Sequence, residues 1–297
     1  MVFVIGGSGS NGIDAKLAKI LGAKHMVPEI HEFPDGEYKI RMPHRLGGEP
    51  VIIVQSTYYP QDRRIFELLL ISDLARDMGA ERIGAVIPYL AFARQNKSFV
   101  DGESVSIKTV MSLLNAVGIS YLVTVQPHKM EPLGYFKGEV DVVEPIVDII
   151  SHVRREVSKP FVMAPDKASM PIAKAAAESL GCGHDYLDKE RDLVTGKVRI
   201  KKAPDVDLDG MDVIIVDDMI STGGTIITCA DFAYSKGAKN VVAAAAHLLM
   251  SGDAEKRLKA AKVNMVFGAN TIPCKAAKTV DISNAVAERI KEEYELA

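Results

Sequence analysis

The chain has 297 residues, 47% hydrophobic and 25% charged, the composition of a folded globular protein and not of a disordered or collagen-like one. That length holds about two domains, and Lys+Arg 36 against Asp+Glu 39 leaves a net charge of −3, with no global positive field to gather nucleic acid. The longest apolar runs, such as Val241 to Ala246, fall far short of the roughly 18 to 20 residues that span a bilayer, and Cys182, Cys229 and Cys274 are widely spaced without a C-x-x-C pair, which argues against a disulfide framework and a zinc site.

In chain order, the apolar start MVFVI lacks a basic flank and reads as a first strand, not a secretion signal, so a cytoplasmic protein is expected. The loop Gly7-Ser-Gly9-Ser-Asn-Gly12 follows, then a helix ending at Gly22. Its G-x-G-x-x-G spelling, with Glu29 and Glu32 roughly 20 residues on, matches a dinucleotide fingerprint, so a dehydrogenase is one reading. Against it, the motif is short, its helix opens on Ile13-Asp14 with no obvious packing surface, and His31-Glu32-Phe33 runs straight into the next turn. Phe33-Pro-Asp35-Gly-Glu37 carries a turn signal, with Tyr38, Ile40 and Met42 alternating after it, and predicts a hairpin. The strand Val51–Val54 then feeds a helix ending at Gly79. A strand around Ala85 to Ile87 leads into Arg94-Gln95-Asn96-Lys97, and another from Tyr121 to Val125 leads into Gln126-Pro127-His128. Taken alone, the first is a solvated basic loop and the second a lone histidine.

The segment around EVDVVEP marks a domain boundary, giving domains 1–143 and 144–297. Beyond it come Phe161-Val-Met-Ala-Pro-Asp166, a helix ending at Gly181, the charge run Asp188-Lys189-Glu190-Arg191, which reads as a solvated turn, and the strand Val213–Val216 with a helix ending at Gly237. From Asp281 to Tyr294, Ile282, Val286, Ile290 and Tyr294 form one apolar stripe on a structural helix. Alternating strands and amphipathic helices predict parallel sheets covered by helices. The halves also match. Asp73 to Gly79 resembles Asp231 to Gly237 at an offset of 158, as Phe3-Val-Ile resembles Phe161-Val-Met, while the two VIIV strands differ by 162. The reading is a tandem duplication with four extra residues in the first copy between strand and glycine. In place of the first loop's glycines the second half holds Ala164-Pro-Asp166, so those glycines mark a tight turn.

The densest chemistry lies in VIIVDDMISTGGT, Val213 to Thr225. A strand ends in Asp217 and Asp218, acceptors suited to sugar hydroxyls or a metal. Ser221, Thr222, Gly223, Gly224 and Thr225 follow at a helix N-terminus, where hydroxyls, open backbone and the helix dipole suit a phosphate. A ribose 5-phosphate satisfies both ends. The bland alternative is a helix capped by Thr222 beside solvated aspartates.

This motif resembles the ribose-phosphate site of the type I phosphoribosyltransferase superfamily, and nearly the whole chain resembles its ribose-phosphate pyrophosphokinase family. The resemblance implies an α/β chain of two tandem, similar phosphoribosyltransferase-like domains, each a mostly parallel sheet flanked by helices. It implies transfer of a diphosphoryl group from ATP to ribose 5-phosphate, with Mg²⁺, by a homo-oligomer that is at least a dimer and engages neither nucleic acid nor membrane. Phe33, Asp35 and Glu37 match a loop that holds adenine, and Arg94, Gln95, Lys97 and Asp141 match other ATP contacts. His128 and Asp166 match metal contacts, and Lys189 and Arg191 match a catalytic K-x-R segment. Asp217, Asp218 and Ser221 to Thr225 match the ribose 5-phosphate site. Three places depart from the family pattern: Asn96 replaces an aspartate, Gln126-Pro127 replaces an acidic approach to the histidine, and Lys167-Ala168-Ser169 replaces a glycine-rich stretch. A phosphoribosyltransferase that consumes phosphoribosyl diphosphate, or a non-catalytic regulatory homologue, would share the fold. The first has no use for FPDGE, RQNK or K-x-R, and the second would have lost catalytic groups that are present here.

Overall fold

The computed structural model describes residues 2–98, 100–191, 198–202 and 205–296, with the backbone alone at 188–191 and 198–202. The chain divides into two units, Met1–Val143 with Ile282–Ala297, and Glu144–Asp281.

The first unit contains β1 (Phe3–Gly6), α1 (Ile13–Ile20), β2 (Lys24–Met26), the hairpin β3 (Glu29–Glu32) and β4 (Tyr38–Arg41), then β5 (Val51–Val54), α2 (Gln61–Asp77), β6 (Ile83–Ile87), α3 (Ser106–Ala116), β7 (Ile119–Val125) and β8 (Glu139–Val143). Its main sheet runs β2-β1-β5-β6-β7-β8, every pair parallel. The second unit contains α4 (Ile146–Val153), β9 (Pro160–Ala164), α5 (Met170–Leu180), β10 (His184–Tyr186), the ribbon β11 (Asp188–Arg191) and β12 (Val198–Lys202), then β13 (Asp212–Ile220), α6 (Gly224–Ser235), β14 (Asn240–Leu248), α7 (Ala254–Ala260), β15 (Val263–Ala269) and β16 (Lys278–Val280). Its sheet runs β10-β9-β13-β14-β15-β16, again parallel throughout.

The two orders are the same topology, and the registers agree residue by residue. Phe3 faces Val51 as Phe161 faces Val213, and Val51 faces Ile83 as Val213 faces Val241. Each unit also inserts a two-stranded antiparallel ribbon after its second main strand, β3–β4 in one and β11–β12 in the other. The charge run at Asp188 therefore forms a strand and not a turn, because it pairs with Val198–Lys202.

The cores follow from the strand composition. Val213 to Val216 and Val51 to Val54 are at most 1% exposed, since a parallel strand covered on both faces has no polar side to alternate with. Each such Val or Ile contributes roughly 1.5–3 kcal/mol by leaving water. The glycines at 22, 79, 181 and 237 all take left-handed φ, between 60° and 85°, and end the helices before them.

The last helix, α8 (Ser283–Tyr294), departs from the division at 144–297. It packs on α1, β7 and β8 of the first unit, burying Ile282, Val286 and Ile290 at no more than 1% exposure. In the second unit the matching position, against α5, β15 and β16, is filled by α4, which precedes that unit's first strand. The first unit thus takes its corresponding helix from the far end of the chain. Polar contacts pin it there. Arg82 pairs with Glu293 and lies over the Tyr121 and Tyr294 rings, and the Tyr121 phenol donates to Asp141 (2.7 Å) while lying 3.1 Å from the Arg289 carbonyl. No helix is long and apolar enough to cross a membrane, among the described residues.

Candidate functional site

In the second unit β9 and β13 are adjacent and parallel, so the loops leaving them emerge at the same carboxyl edge of the sheet, where open α/β sheets take ligands. β13 runs on to Ile220, so Asp217 and Asp218 do not end the strand but lie within it, just after its fully buried run, and Asp166 stands just past β9. The Asp166 Oδ1 accepts the amides of Ala168 (2.9 Å) and Ser169 (3.1 Å), which folds the loop into α5. Ser169 is buried, and its hydroxyl donates to Asp217 Oδ1 at 2.9 Å. Burial, with Asp218 next and Asp166 after it, pushes the Asp217 carboxyl up to about 7, against the opposing Ser169 hydrogen bond. The acid pair is therefore a site of concentrated negative potential that wants hydroxyl donors or positive charge.

The turn from β13 to α6 supplies the opposite chemistry. Its carbonyls are taken by donors from the segment before α7 and from α7 itself: Met250 amide to Ile220 (3.1 Å), Ser251 amide to Ser221 (3.0 Å), and Arg257 Nη1 to Thr222 (3.0 Å). The N-cap of α6 is Gly223 at φ 76°, with no side-chain cap, so Thr222 does not cap the helix. A Cβ on Gly223 would also sit 3.1 Å from Leu258, so that backbone position belongs to glycine on two counts. Ser221, Thr222 and Thr225 surround a helix N-terminus, the ordinary setting of an anion site.

The same place in the first unit is filled by the protein itself. After its VIIV strand come Gln55 and Ser56 instead of an acid pair, both fully buried. Counted back from the closing glycine, α2 starts five residues earlier than α6, 18 before Gly79 against 13 before Gly237, so the extra residues of the first copy become helix. That added turn carries Arg64, while Glu67, at the place Thr225 holds in the second unit, enters the crevice just after it. The Glu67 carboxylate, 2% exposed, accepts the Ser8 amide (2.6 Å) and hydroxyl (2.5 Å), Arg64 donates to Ser8 Oγ (2.8 Å), and Gln55 Oε1 accepts the Gly9 amide (2.7 Å). The G-x-G-x-x-G loop is thus occupied by a resident carboxylate where a dinucleotide would put a phosphate. A Cβ on Gly9 would lie 2.3 Å from the Ser56 carbonyl, so this glycine serves close packing. Ile13, buried at 0%, gives the helix the packing surface that its sequence did not announce.

The remaining candidates distribute as follows. Phe33, Asp35 and Glu37 are exposed in the β3–β4 turn, closed by Phe33 amide to Glu37 carbonyl (2.7 Å) and Glu37 amide to Asp35 Oδ1 (3.1 Å). Arg94, Gln95 and Lys97 lie in the loop after β6, where Gln95 Nε2 donates to the Ser104 carbonyl (3.2 Å), and His128 is exposed after β7. Arg94, Gln95, Lys97 and His128 thus follow the carboxyl ends of strands of the first sheet. Asp141 does not join them: it lies in mid-strand on β8, bonded to Tyr121. Lys189 and Arg191 lie on β11, where the description is of backbone, so their side chains lie outside the described residues. Two residues that sequence reasoning left without a role belong to the site. Ser169 was visible as a departure from glycine, and Arg257 carried no sequence signal because it comes from a different helix.

Comparison with known proteins agrees with this geometry. Residues 2–118 match the N-terminal domain of ribose phosphate pyrophosphokinase, and residues 142–274 match the phosphoribosyl transferase domain. The chain is 46% identical over 288 residues to ribose-phosphate pyrophosphokinase of Saccharolobus solfataricus, covering 96% of this chain and 99% of that one. It is 46% identical over 291 residues to that of Sulfolobus acidocaldarius, covering 97% and 100%. The crystal structure of phosphoribosylpyrophosphate synthetase from Mycobacterium smegmatis superposes with a TM-score of 0.88 at 26% identity, covering 99% of both chains. A duplicated parallel fold, matched end to end by these relatives, places this chain in the ribose-phosphate pyrophosphokinase family.

Proposed function

We propose that this protein transfers the β,γ-diphosphoryl group of ATP to the 1-hydroxyl of ribose 5-phosphate, giving phosphoribosyl diphosphate and AMP. The observation that carries the reading is the second unit's crevice, where an acid pair stands near the carboxyl end of β13 and a glycine and hydroxyl turn opens α6. Asp217 and Asp218 accept from the ribose 2- and 3-hydroxyls, and Ser221 to Thr225 hold the 5-phosphate. Phe33, Asp35 and Glu37 hold the base of ATP, while Arg94, Gln95 and Lys97 hold the rest of the nucleotide. The 1-hydroxyl oxygen attacks the β-phosphorus in line, the bond to the α-phosphate oxygen breaks, and AMP leaves, so catalysis rests on alignment and on charge placed at the transferred oxygens. Lys189 and Arg191 supply part of that charge.

Asp166, on the second unit, would hold Mg²⁺; His128, on the first, is a separate metal candidate. The fit on the carboxylate side is good, because the hydrogen bonds Asp166 accepts all fall on Oδ1, leaving Oδ2 for a hard cation. Among the described residues no group of three or more His, Cys, Asp or Glu is gathered that could hold a metal, so a bound ion would draw on phosphate oxygens and water as well. When bound, the ion neutralises charge on the phosphate oxygens.

A homodimer is the smallest assembly that fits this reading. Phe33, Tyr59 and Phe66, exposed at 39%, 79% and 55%, cluster around the hairpin and the start of α2, as a surface for a second copy would. Three free cysteines accord with a reducing cytoplasm. The test is incubation with ATP, Mg²⁺ and ribose 5-phosphate, followed by separation of nucleotides. Equal amounts of AMP and phosphoribosyl diphosphate support the reading; ADP indicates an ordinary kinase, and absence of turnover a regulatory homologue.

A further inference from the structure

The loop between β9 and α5 departs from the glycine-rich pattern implied by the family resemblance, and one of its replacements makes a contact that glycine cannot. Ser169 is 7% exposed, and its hydroxyl reaches two carboxylates from different elements: Asp217 Oδ1 on β13 at 2.9 Å and Asp166 Oδ1 in its own loop at 3.4 Å. The shorter contact takes the proton. Asp217 Oδ1 also accepts the Asp218 amide at 3.0 Å, so the donors that reach Asp217 fall on the same oxygen and leave Oδ2 without one.

We infer that Ser169 is a positioning residue for ribose 5-phosphate, anchoring Asp217 through Oδ1 so that Oδ2 is held ready for a ribose hydroxyl before the sugar arrives. The inference rests on the assignment of Asp217 to the ribose diol. A carboxylate on a short side chain has a broad terminal torsion, and beside a second acid it is pushed to turn away. A buried hydroxyl donating to one oxygen fixes that torsion, and because Ser169 opens α5, it also ties the Asp166 loop to the end of β13. The consequence is selective. Losing the hydroxyl weakens first the site that uses Asp217, whose contact is the shorter, and leaves the first unit's own nucleotide loops in place.

The experiment is steady-state kinetics of the full chain carrying Ser169→Ala, Ser169→Thr, Asp217→Asn, or Ser169→Ala with Asp217→Asn, with the melting temperature of each. Ser169→Ala should raise KM for ribose 5-phosphate about 5- to 10-fold, while KM for ATP stays within about twofold, and Ser169→Thr, which keeps the hydroxyl, should restore most of the loss. In the Asp217→Asn background, adding Ser169→Ala should raise that KM no further, since the group it positions is already changed. An unchanged KM for the sugar in Ser169→Ala while Asp217→Asn raises it would overturn the role of Ser169 alone. No effect of Asp217→Asn would remove the diol assignment and this inference with it. A lower melting temperature with both KM values unchanged would make Ser169 merely structural, and equal losses for Ala and Thr would show that side-chain volume, not the hydroxyl, matters.

Discussion

Asp217 shows how one residue's environment dictates its chemistry. Burial, the adjacent Asp218 and nearby Asp166 all favour its neutral form, so the folded protein binds this proton more tightly than the unfolded chain does. The sign follows: stability from this group declines as pH rises above the unfolded value near 3.8, and the decline is complete above about 7. Asp217→Asn should therefore raise the melting temperature of ligand-free protein at pH 8, by an amount equivalent to about 1–2 kcal/mol, with little change at pH 4. It should also raise KM for ribose 5-phosphate by about 10-fold or more while KM for ATP moves little. Thermal melts at the two pH values, with EDTA present, and paired kinetics check both halves. Glu67 is the contrasting residue. Glu67→Ala leaves the Ser8 amide and hydroxyl without their buried acceptor, so a loss of about 2–4 kcal/mol is expected in denaturant titrations, with KM for ribose 5-phosphate unchanged. The acid pair, the hydroxyls and the glycines were legible in the sequence because they are contiguous. The Ser169 and Arg257 contacts were not, since they arise where segments 30 or more residues apart meet.

Among the elements, the two antiparallel ribbons and the last helix carry the clearest consequences. The β3–β4 hairpin and the β11–β12 ribbon occupy the same step of the duplicated fold, and one carries the FPDGE turn and the other the K-x-R segment. As a charged run, Asp188 to Arg191 gave no strand signal of its own; the alternation lies in its pairing partner, where Val198 and Ile200 are interleaved with Arg199 and Lys201. Replacing Lys189 or Arg191 with alanine should lower turnover by about 10² to 10⁴ with the melting temperature unchanged. Near-normal turnover in both variants would remove the segment from the mechanism. The stripe of α8 was fully legible as a helix face, but nothing in its periodicity said which unit it covers. Ile290→Ala should cost about 2–4 kcal/mol by opening a cavity in the first unit.

For the whole molecule, duplication is the organising fact, visible in the sequence as an offset of 158 and in the structure as one topology and one register repeated. The four residues separating that offset from the 162 of the VIIV strands became legible only in three dimensions, as a helical turn that brings Arg64 beside the crevice that Glu67 fills. The second unit is one continuous segment with its helices in place, whereas the first is completed by the chain's last residues. The fragment 144–281 should therefore fold cooperatively alone and be stabilised by ribose 5-phosphate, while 1–143 should require a peptide spanning 282–297 to give a cooperative thermal transition. The most direct measurement is a crystal structure of the full chain soaked with ribose 5-phosphate. The 5-phosphate should lie on the backbone and hydroxyls of Ser221 to Thr225, and the 2- and 3-hydroxyls on Asp217 and Asp218; a sugar phosphate bound in the first unit, or in the reverse orientation with its phosphate against the two acids, would contradict the account.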